Sequence, residues 1–257
     1  MDKYVILIDA DGTLIETGKT KANKKVVESL KYAKEKGNIL VVCTGRSLMT
    51  AKQINCSNVF NYIACLMGSV VYSNEEQRVI FENENKINAE YVKPLIEYFI
   101  EKGNVWTYKD DNQDKSTTDI NKYGNQFNAK IISKEEVVKD IENNKIFQLL
   151  ATKEIINDEI INKYKDLEFV LMPDDYYDIL KKGASKAHTV KYFKEKFPDY
   201  KIVAIGDSNN DIPMLENADI SIAMGNANDT VKKICKYQTK TLKENGVSYA
   251  IKEILKI

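Results

Sequence analysis

The chain has 257 residues, 43% of them hydrophobic, which is enough for one large domain or two ordinary ones with a substantial core. Its 38 basic and 38 acidic residues cancel, so no basic field can hold a nucleic-acid backbone, and we expect no nucleic-acid partner. No stretch is long and apolar enough to span a membrane, and because the predicted first strand begins so close to Met1 we expect no signal peptide. The four cysteines show no C-x-x-C pairing, which favours a reducing, cytoplasmic location.

The first predicted element is a hydrophobic strand over residues 4–8 that leads directly into Asp9 and Asp11. Such an uninterrupted run is typical of a strand buried on both faces of a parallel sheet. Ligands bind at the carboxyl ends of strands in open α/β sheets, and Gly12 allows a sharp turn close to a bound anion. Two carboxylates placed there repel each other unless a cation or a proton lies between them. An ordinary Asx turn is the alternative reading of this segment alone.

Helical and extended patterns alternate in the rest of the first third of the chain and again in the last third. This alternation of strands and helices predicts a Rossmann-like, doubly wound α/β core with a parallel sheet and right-handed crossovers. In chain order the predicted elements are a helix over 24–36, strands over 38–43, 62–67 and 70–73, a helix that stops at Pro198, and strands over 201–205 and 220–224.

Residues 82–182 differ in composition from both flanks, because they are richer in Asn, Lys and Asp and hold the only tryptophan. We predict that they form a smaller α+β cap domain inserted into a core made of residues 1–81 and 183–257. Its predicted elements are helices over 89–101, from Ser133 and up to Lys165, strands over 105–108, 146–152, 169–172 and 176–180, and a solvated loop over 110–115. Trp106, Tyr108, Tyr176 and Tyr177 are candidates for pocket walls, although core packing is the commoner role of aromatic residues on strands.

Polar side chains follow three of the predicted core strands. Asp9 and Asp11 follow the first strand, Thr44 follows the second, and Asp207 follows the strand over 201–205. Because the carboxyl ends of parallel strands lie side by side, we expect these residues to converge on one small volume. Carboxylates with oxygen-only neighbours suit a hard cation such as Mg²⁺ rather than Zn²⁺.

Two predicted helix starts add charge to the same region. Ser185 is a good N-cap residue and would place Lys186 in the first turn, where its ammonium reinforces the positive end of the helix. Asp211 is a plausible N-cap for the next helix, with Pro213 in the first turn.

Four motifs in this order resemble those of the haloacid dehalogenase superfamily, specifically its Cof-type (subfamily IIB) phosphatases. They are Asp9-Ala10-Asp11-Gly12-Thr13, the threonine of Thr44-Gly45-Arg46, Lys186, and Gly206-Asp207-Ser208-Asn209-Asn210-Asp211. Gly225-Asn226-Ala227 also looks like this family. The resemblance covers nearly the whole chain, but Met67 stands where the family usually has Asn, which bears on the pocket wall.

The resemblance implies a role for each motif. Asp9 would attack phosphorus and form an aspartyl-phosphate, while Asp11, protonated at the start, would serve first as acid and then as base. Mg²⁺ would be held by Asp9, Asp207 and the backbone carbonyl of Asp11, with Asp211 orienting the metal's water shell. The implied phosphate-binding residues are Ala10, Thr44, Gly45, Lys186 and Asn210.

We therefore expect a Mg²⁺-dependent phosphatase for small phosphorylated metabolites, such as sugar phosphates or phosphorylated vitamers like pyridoxal phosphate. Asp11 favours this reaction over dehalogenation, which needs no general acid for an alkoxide. The cap would select the substrate, and the enzyme would be a monomer or a homodimer without a membrane partner. The alternatives are a phosphomutase or phosphotransferase of the same superfamily and, less favoured, a non-catalytic metabolite-binding regulator.

Overall fold

The computed structural model describes residues 3–103, 106–110, 112–117, 129–143, 146–172 and 175–257. The chain divides into two compact units. The core unit comprises Met1–Arg46, Ala51–Glu82 and Ser185–Ile257, and the insert unit comprises Ser47–Thr50 and Asn83–Ala184. Among the described helices, none is both long enough and apolar enough to cross a membrane.

The described strands are β1 (Tyr4–Asp9), β2 (Ile39–Cys43), β3 (Tyr62–Cys65), β4 (Val70–Ser73), β5 (Arg78–Glu82), β6 (Trp106–Lys109), β7 (Asp114–Ser116), β8 (Lys130–Ile131), β9 (Gln148–Thr152), β10 (Leu167–Leu171), β11 (Tyr176–Lys181), β12 (Lys201–Gly206), β13 (Ile220–Ala223) and β14 (Tyr237–Gln238). The described α-helices are α1 (Lys24–Glu35), α2 (Leu48–Lys52), α3 (Ala89–Lys102), α4 (Lys134–Asn143), α5 (Asp158–Lys163), α6 (Ala187–Lys196), α7 (Ile212–Asn217), α8 (Asp229–Ile234) and α9 (Gly246–Tyr249).

The core unit is built on an eight-stranded sheet in the order β14-β13-β12-β1-β2-β3-β4-β5. The strands from β14 to β3 are parallel, whereas at the other edge β4 pairs antiparallel with β3 and β5 pairs antiparallel with β4. Residues 5–8 of β1 are fully buried, as expected for a central strand covered on both faces. The predicted α/β fold with a central parallel sheet is therefore confirmed.

The insert unit holds a six-stranded sheet in the order β10-β11-β9-β6-β7-β8, in which all neighbours are antiparallel except β7 and β8. One hydrophobic cluster includes Phe99 of α3, Trp106 and Tyr108 of β6, and Leu149 of β9. Core packing is thus confirmed for Trp106 and Tyr108. Tyr177 is partly buried against the same cluster, and Tyr176 is half-buried.

The prediction of a solvated loop over 110–115 was wrong. Asp114 and Lys115 lie in β7, and both are buried together with Asp110. The cause is internal charge pairing, because the Lys115 ammonium lies 2.7 Å from Asp110 Oδ2 and 2.6 Å from Asp140 Oδ2. Asp111 of that predicted loop and Val105 of the predicted strand lie outside the described residues.

The predicted capping box at the start of α4 is confirmed. The Ser133 N–H donates to Glu136 Oε2 over 2.8 Å, and the Glu136 N–H donates to Ser133 Oγ over 3.1 Å. These reciprocal bonds satisfy two N–H groups that would otherwise have no helical partner.

Candidate active site

The strand ends of the core unit bring the predicted site residues to one edge of the sheet. β1 pairs in parallel with β2 on one side, where Asp9 is level with Cys43, and with β12 on the other, where Ile8 is level with Ile205. Thr44 and Asp207 directly follow these two neighbours of β1. The convergence expected from the sequence follows from this register.

Lys186 is the centre of the site and is fully buried. Its ammonium donates to Asp9 Oδ1 and to Asp211 Oδ1, and both distances are 2.6 Å. The three residues are separated by up to 202 positions in the chain yet form one charged group inside the core unit. A buried ammonium is tolerated only when it is paired with opposite charge and hydrogen-bonded, as Lys186 is here.

Asp207 is held from the loop that follows β1. Thr13 Oγ1 donates to Asp207 Oδ1 over 2.9 Å. Gly12 has φ +88°, and a Cβ built there would lie 2.4 Å from Asp207 Oδ2, so the close approach requires glycine. The sequence motif contains Thr13, but nothing in the pattern revealed that its hydroxyl binds Asp207.

Asp211 occupies the predicted N-cap position of α7, but its side chain makes no capping bond to that helix. Its Oδ2 instead accepts from the backbone N–H groups of Asp207, at 2.9 Å, and Ser208, at 3.0 Å, while Oδ1 accepts from Lys186. The carboxylate therefore ties the loop after β12 to the lysine.

The predicted Ser185 cap was wrong. Lys186 itself occupies the N-cap position of α6, without a side-chain capping bond. The backbone carbonyl of Ser185 accepts from the His188 N–H at 3.3 Å, so a tight turn begins the helix in place of a hydroxyl cap. Lys186 still lies at the helix start, with its side chain directed to the carboxylates.

The charges of the cluster do not balance. Asp9, Asp207 and Asp211 supply three carboxylates against the one ammonium of Lys186. Burial, followed by the nearby Asp211, raises the pKa of Asp9 well above its usual range, although Lys186 opposes this. Burial and Asp211 likewise raise the pKa of Asp207 to about 6. Burial disfavours the charged form of Lys186, but Asp211 and Asp9 outweigh it and raise the pKa of the ammonium.

The donor set fits a hard divalent cation. One carboxylate oxygen from each of Asp9, Asp207 and Asp211 lies within 4.8 Å of the other two. Asp9 Oδ2 is buried and has no hydrogen-bond partner among the described residues, a costly state for a carboxylate oxygen. A divalent cation bound among these carboxylates would offset the excess negative charge.

Asp11 points to a different partner from Asp9. Its carboxylate receives two bonds from Arg46, Nε to Oδ2 at 2.8 Å and an Nη atom to Oδ1 at 2.7 Å. The Gly18 N–H adds a third bond at 3.0 Å, and Arg46 also donates to the Lys19 carbonyl. Sequence reasoning missed this partner of Asp11, although Arg46 stands in the Thr44-Gly45-Arg46 motif itself.

The remaining predicted phosphate-binding residues surround the same strand ends. Ala10 is buried, and its carbonyl accepts from the N–H groups of Leu14 and Ile15. Thr44 is buried, and its Oγ1 accepts from the Arg46 N–H at 3.1 Å.

Gly45 and Asn210 lie at the margin of the site. A Cβ built on Gly45 would lie 3.1 Å from the sulfur of Met67, so Met67 packs directly against this loop. Asn210 is exposed, and its amide oxygen accepts from Ser208 Oγ at 2.7 Å. The structure thus does not bring Asn210 into the hydrogen bonds of Lys186, which go to Asp9 and Asp211.

Comparison with known proteins identifies the family of this chain. The family model of haloacid dehalogenase-like hydrolases matches residues 6–251. The chain belongs to this family. The superfamily resemblance seen in the sequence motifs is therefore confirmed, and the protein is a haloacid dehalogenase-like hydrolase over nearly its whole length.

Relatives of this haloacid dehalogenase-like hydrolase match it from end to end. It is 27% identical over 265 residues to the 5-amino-6-(5-phospho-D-ribitylamino)uracil phosphatase YcsE of Bacillus subtilis (strain 168), covering 98% of this chain and 96% of that protein. A haloacid dehalogenase-like hydrolase from Bacteroides thetaiotaomicron superposes with a TM-score of 0.83 at 23% identity, covering 99% and 100% of the two chains. The HAD subclass IIB sugar phosphatase BT4131 superposes with a TM-score of 0.79 at 22% identity over 100% of both chains. These two structures share the fold.

Proposed function

We propose that the protein is a Mg²⁺-dependent phosphomonoester hydrolase that acts on small phosphorylated metabolites through an aspartyl-phosphate on Asp9. The observation that carries the proposal is Asp9 itself. One of its oxygens is fixed by Lys186, while the other is buried at the edge where ligands of parallel sheets bind and has no hydrogen-bond partner in the described part of the chain. A carboxylate held in this way has a free oxygen to attack phosphorus.

In the proposed reaction, Asp9 Oδ2 forms a bond to phosphorus as the bond to the leaving oxygen breaks. Asp11 gives its proton to that departing oxygen, and later takes one from the water that attacks phosphorus and releases Asp9 and inorganic phosphate. Three N–H donors now face the Asp11 oxygens, an arrangement that suits the carboxylate. The acid step therefore requires Asp11 to leave Arg46.

Lys186, Thr44 and the backbone N–H groups of Ala10 and Gly45 would bind the phosphoryl oxygens, where negative charge accumulates. Asp9, Asp207 and the backbone carbonyl of Asp11 would hold Mg²⁺, and Asp211 would orient the water around it. When bound, Mg²⁺ supplies positive charge that shields the nucleophile from the phosphate. Asn210 would donate to the phosphoryl group from Nδ2, since its bond with Ser208 uses only Oδ1.

The residues from 82 to 182 would form the cap that selects the leaving group, and those of 1–81 and 183–257 the catalytic domain. Sugar phosphates and phosphorylated vitamers such as pyridoxal phosphate are the proposed substrate classes. The relative YcsE is named as a phosphatase of a compound with a phosphorylated ribityl group, which supports a small phosphorylated metabolite as the substrate. No disulfide joins the described cysteines, Cys43, Cys56, Cys65 and Cys235, which supports a cytoplasmic location for the proposed enzyme, as a monomer or homodimer.

The test is inorganic phosphate release from a panel of phosphorylated metabolites, for wild type, Asp9→Asn and the exposed-site control Asp199→Asn. We expect Mg²⁺-dependent turnover that EDTA abolishes, an Asp9→Asn rate lower by at least about 10⁴-fold, and a control equal to wild type. Phosphate transfer to a second sugar without stoichiometric phosphate release would favour a phosphomutase. Tight metabolite binding without any turnover by a folded wild type would favour a regulator.

A further inference from the structure

Asn226 links the loop that carries Asp11 to another part of the core unit. It lies in the loop between β13 and α8, and its side-chain amide is used at both ends. Nδ2 donates to the Gly12 carbonyl at 2.9 Å, and Oδ1 accepts from the Leu242 N–H at 2.9 Å. Such a two-ended bond orients an amide uniquely, because one end donates and the other accepts.

The far end of this link is a firmly packed turn. The Gly225 N–H donates to the Lys240 carbonyl at 3.0 Å. A Cβ built on Gly246 would lie 2.1 Å from that same carbonyl oxygen, so the turn leaves no space for a side chain. Leu242 therefore presents its N–H from a support that cannot easily shift.

The near end of the link lies inside the proposed metal site. Gly12 lies between Asp11, whose own carbonyl is a proposed ligand, and Thr13, whose hydroxyl holds Asp207. The Asn228 N–H also reaches the Asp207 carbonyl, at 3.4 Å. Fixing the Gly12 carbonyl therefore fixes the loop that positions two proposed ligands at once.

We propose that Asn226 is a positioning residue for a divalent cation, which it serves by holding the Asp11–Thr13 loop in its ligating form without touching the metal. This inference rests on the proposed Mg²⁺-dependent function. Without the amide, cation binding itself must order the loop. The free energy that this ordering requires lowers the affinity for the cation. The phosphate-binding contacts of Lys186 and Thr44 do not pass through Asn226 and should remain.

The test is calorimetric titration of the metal-free full-length protein with MgCl₂, for wild type, Asn226→Ala and Asn217→Ala. Asn217 is the matched control, because it is exposed and its amide donates to one backbone carbonyl, that of Pro213, away from the site. We expect Asn226→Ala to bind Mg²⁺ about tenfold more weakly and Asn217→Ala to bind as wild type does. The Mg²⁺ concentration for half-maximal phosphate release should rise by the same factor, with kcat and substrate KM at saturating Mg²⁺ unchanged.

The outcomes separate this inference from the proposed function. If the wild type binds no Mg²⁺ and releases no phosphate, the proposed function fails. If the wild type binds Mg²⁺ and Asn226→Ala binds it equally well, only the role of Asn226 fails. A lower melting temperature of metal-free Asn226→Ala with unchanged Mg²⁺ affinity would also overturn it, since Asn226 would then stabilise the fold alone.

Discussion

Each unit of the protein buries a lysine between two aspartates, yet the two groups differ in how completely they are satisfied. In the core unit, Lys186 lies 2.6 Å from both Asp9 and Asp211. In the insert unit, Lys115 lies 2.7 Å from Asp110 and 2.6 Å from Asp140. The local geometry around the two ammonium groups is nearly the same.

In the insert unit, neutral hydrogen-bond donors also satisfy the two aspartates that flank Lys115. Asp110 Oδ1 accepts from two backbone N–H groups, those of Asn112 and Gln113, and Asp140 Oδ2 accepts from the Tyr108 hydroxyl at 2.5 Å. The core cluster instead includes the third carboxylate of Asp207, and Asp9 Oδ2 accepts no hydrogen bond from any residue that the structure describes. A satisfied buried ion group stabilises a fold, whereas one with excess charge and an orphaned oxygen is prepared for a ligand.

The largest expected effect concerns Lys186. Replacing it by Met removes the ammonium that would stabilise the phosphoryl oxygens, and we expect the rate of phosphate release to fall about 10³-fold at saturating Mg²⁺. Single-turnover kinetics on the folded variant measure this. A rate within tenfold of wild type would mean that Lys186, like Lys115, serves only the fold.

The matching change in the insert unit is Lys115→Met. It leaves Asp110 and Asp140 without their cation, so we expect the free energy of unfolding to fall by roughly 3 kcal/mol or more. Urea denaturation of the intact protein, monitored by tryptophan fluorescence, reports on this unit because Trp106 lies in its core. An unchanged unfolding midpoint would show that the neutral donors alone support the two carboxylates.

A smaller effect should appear in the pH dependence of the metal-free protein. The folded pKa of Asp207 is about 6, above its ordinary value of 3.8, so the native state binds more protons than the unfolded state between these values. The contribution of Asp207 to stability is therefore lost as pH rises from about 4 to 6, by roughly 2–3 kcal/mol. In EDTA, wild type should lose this stability between pH 4 and pH 7 and Asp207→Asn should not. The free energy of unfolding of the variant, relative to that of wild type, should therefore rise by roughly 2–3 kcal/mol between the two pH values, as urea denaturation would measure.

Added Mg²⁺ supplies the control for that measurement. A cation at the carboxylates favours their ionised form, so it should stabilise the wild type at pH 7. The difference in free energy of unfolding between wild type and Asp207→Asn should then become smaller. Parallel pH curves for the two proteins in EDTA would contradict the raised pKa of Asp207.

Much of the fold and part of the site could be predicted from the chain alone. The apolar run before Asp9 predicted a central strand, and the residues after strand ends placed Asp9, Thr44 and Asp207 at one edge. These inferences succeed because hydrophobic periodicity and strand ends are local properties. The loop predicted over 110–115 failed, because a run of charged residues does not reveal whether a partner such as Asp140, 25 positions from Lys115, neutralises them.

The sequence by itself determined the α/β class, the strand-end carboxylates and the family motifs, since each depends on residues close together in the chain. Tertiary structure decided which partner each charged group takes. Arg46 pairs with Asp11 across 35 positions, Lys186 with Asp9 across 177, and Asn226 with Gly12 across 214. Such pairs form only after the sheet has assembled, because the contacts depend on strand order and loop packing rather than on spacing along the chain.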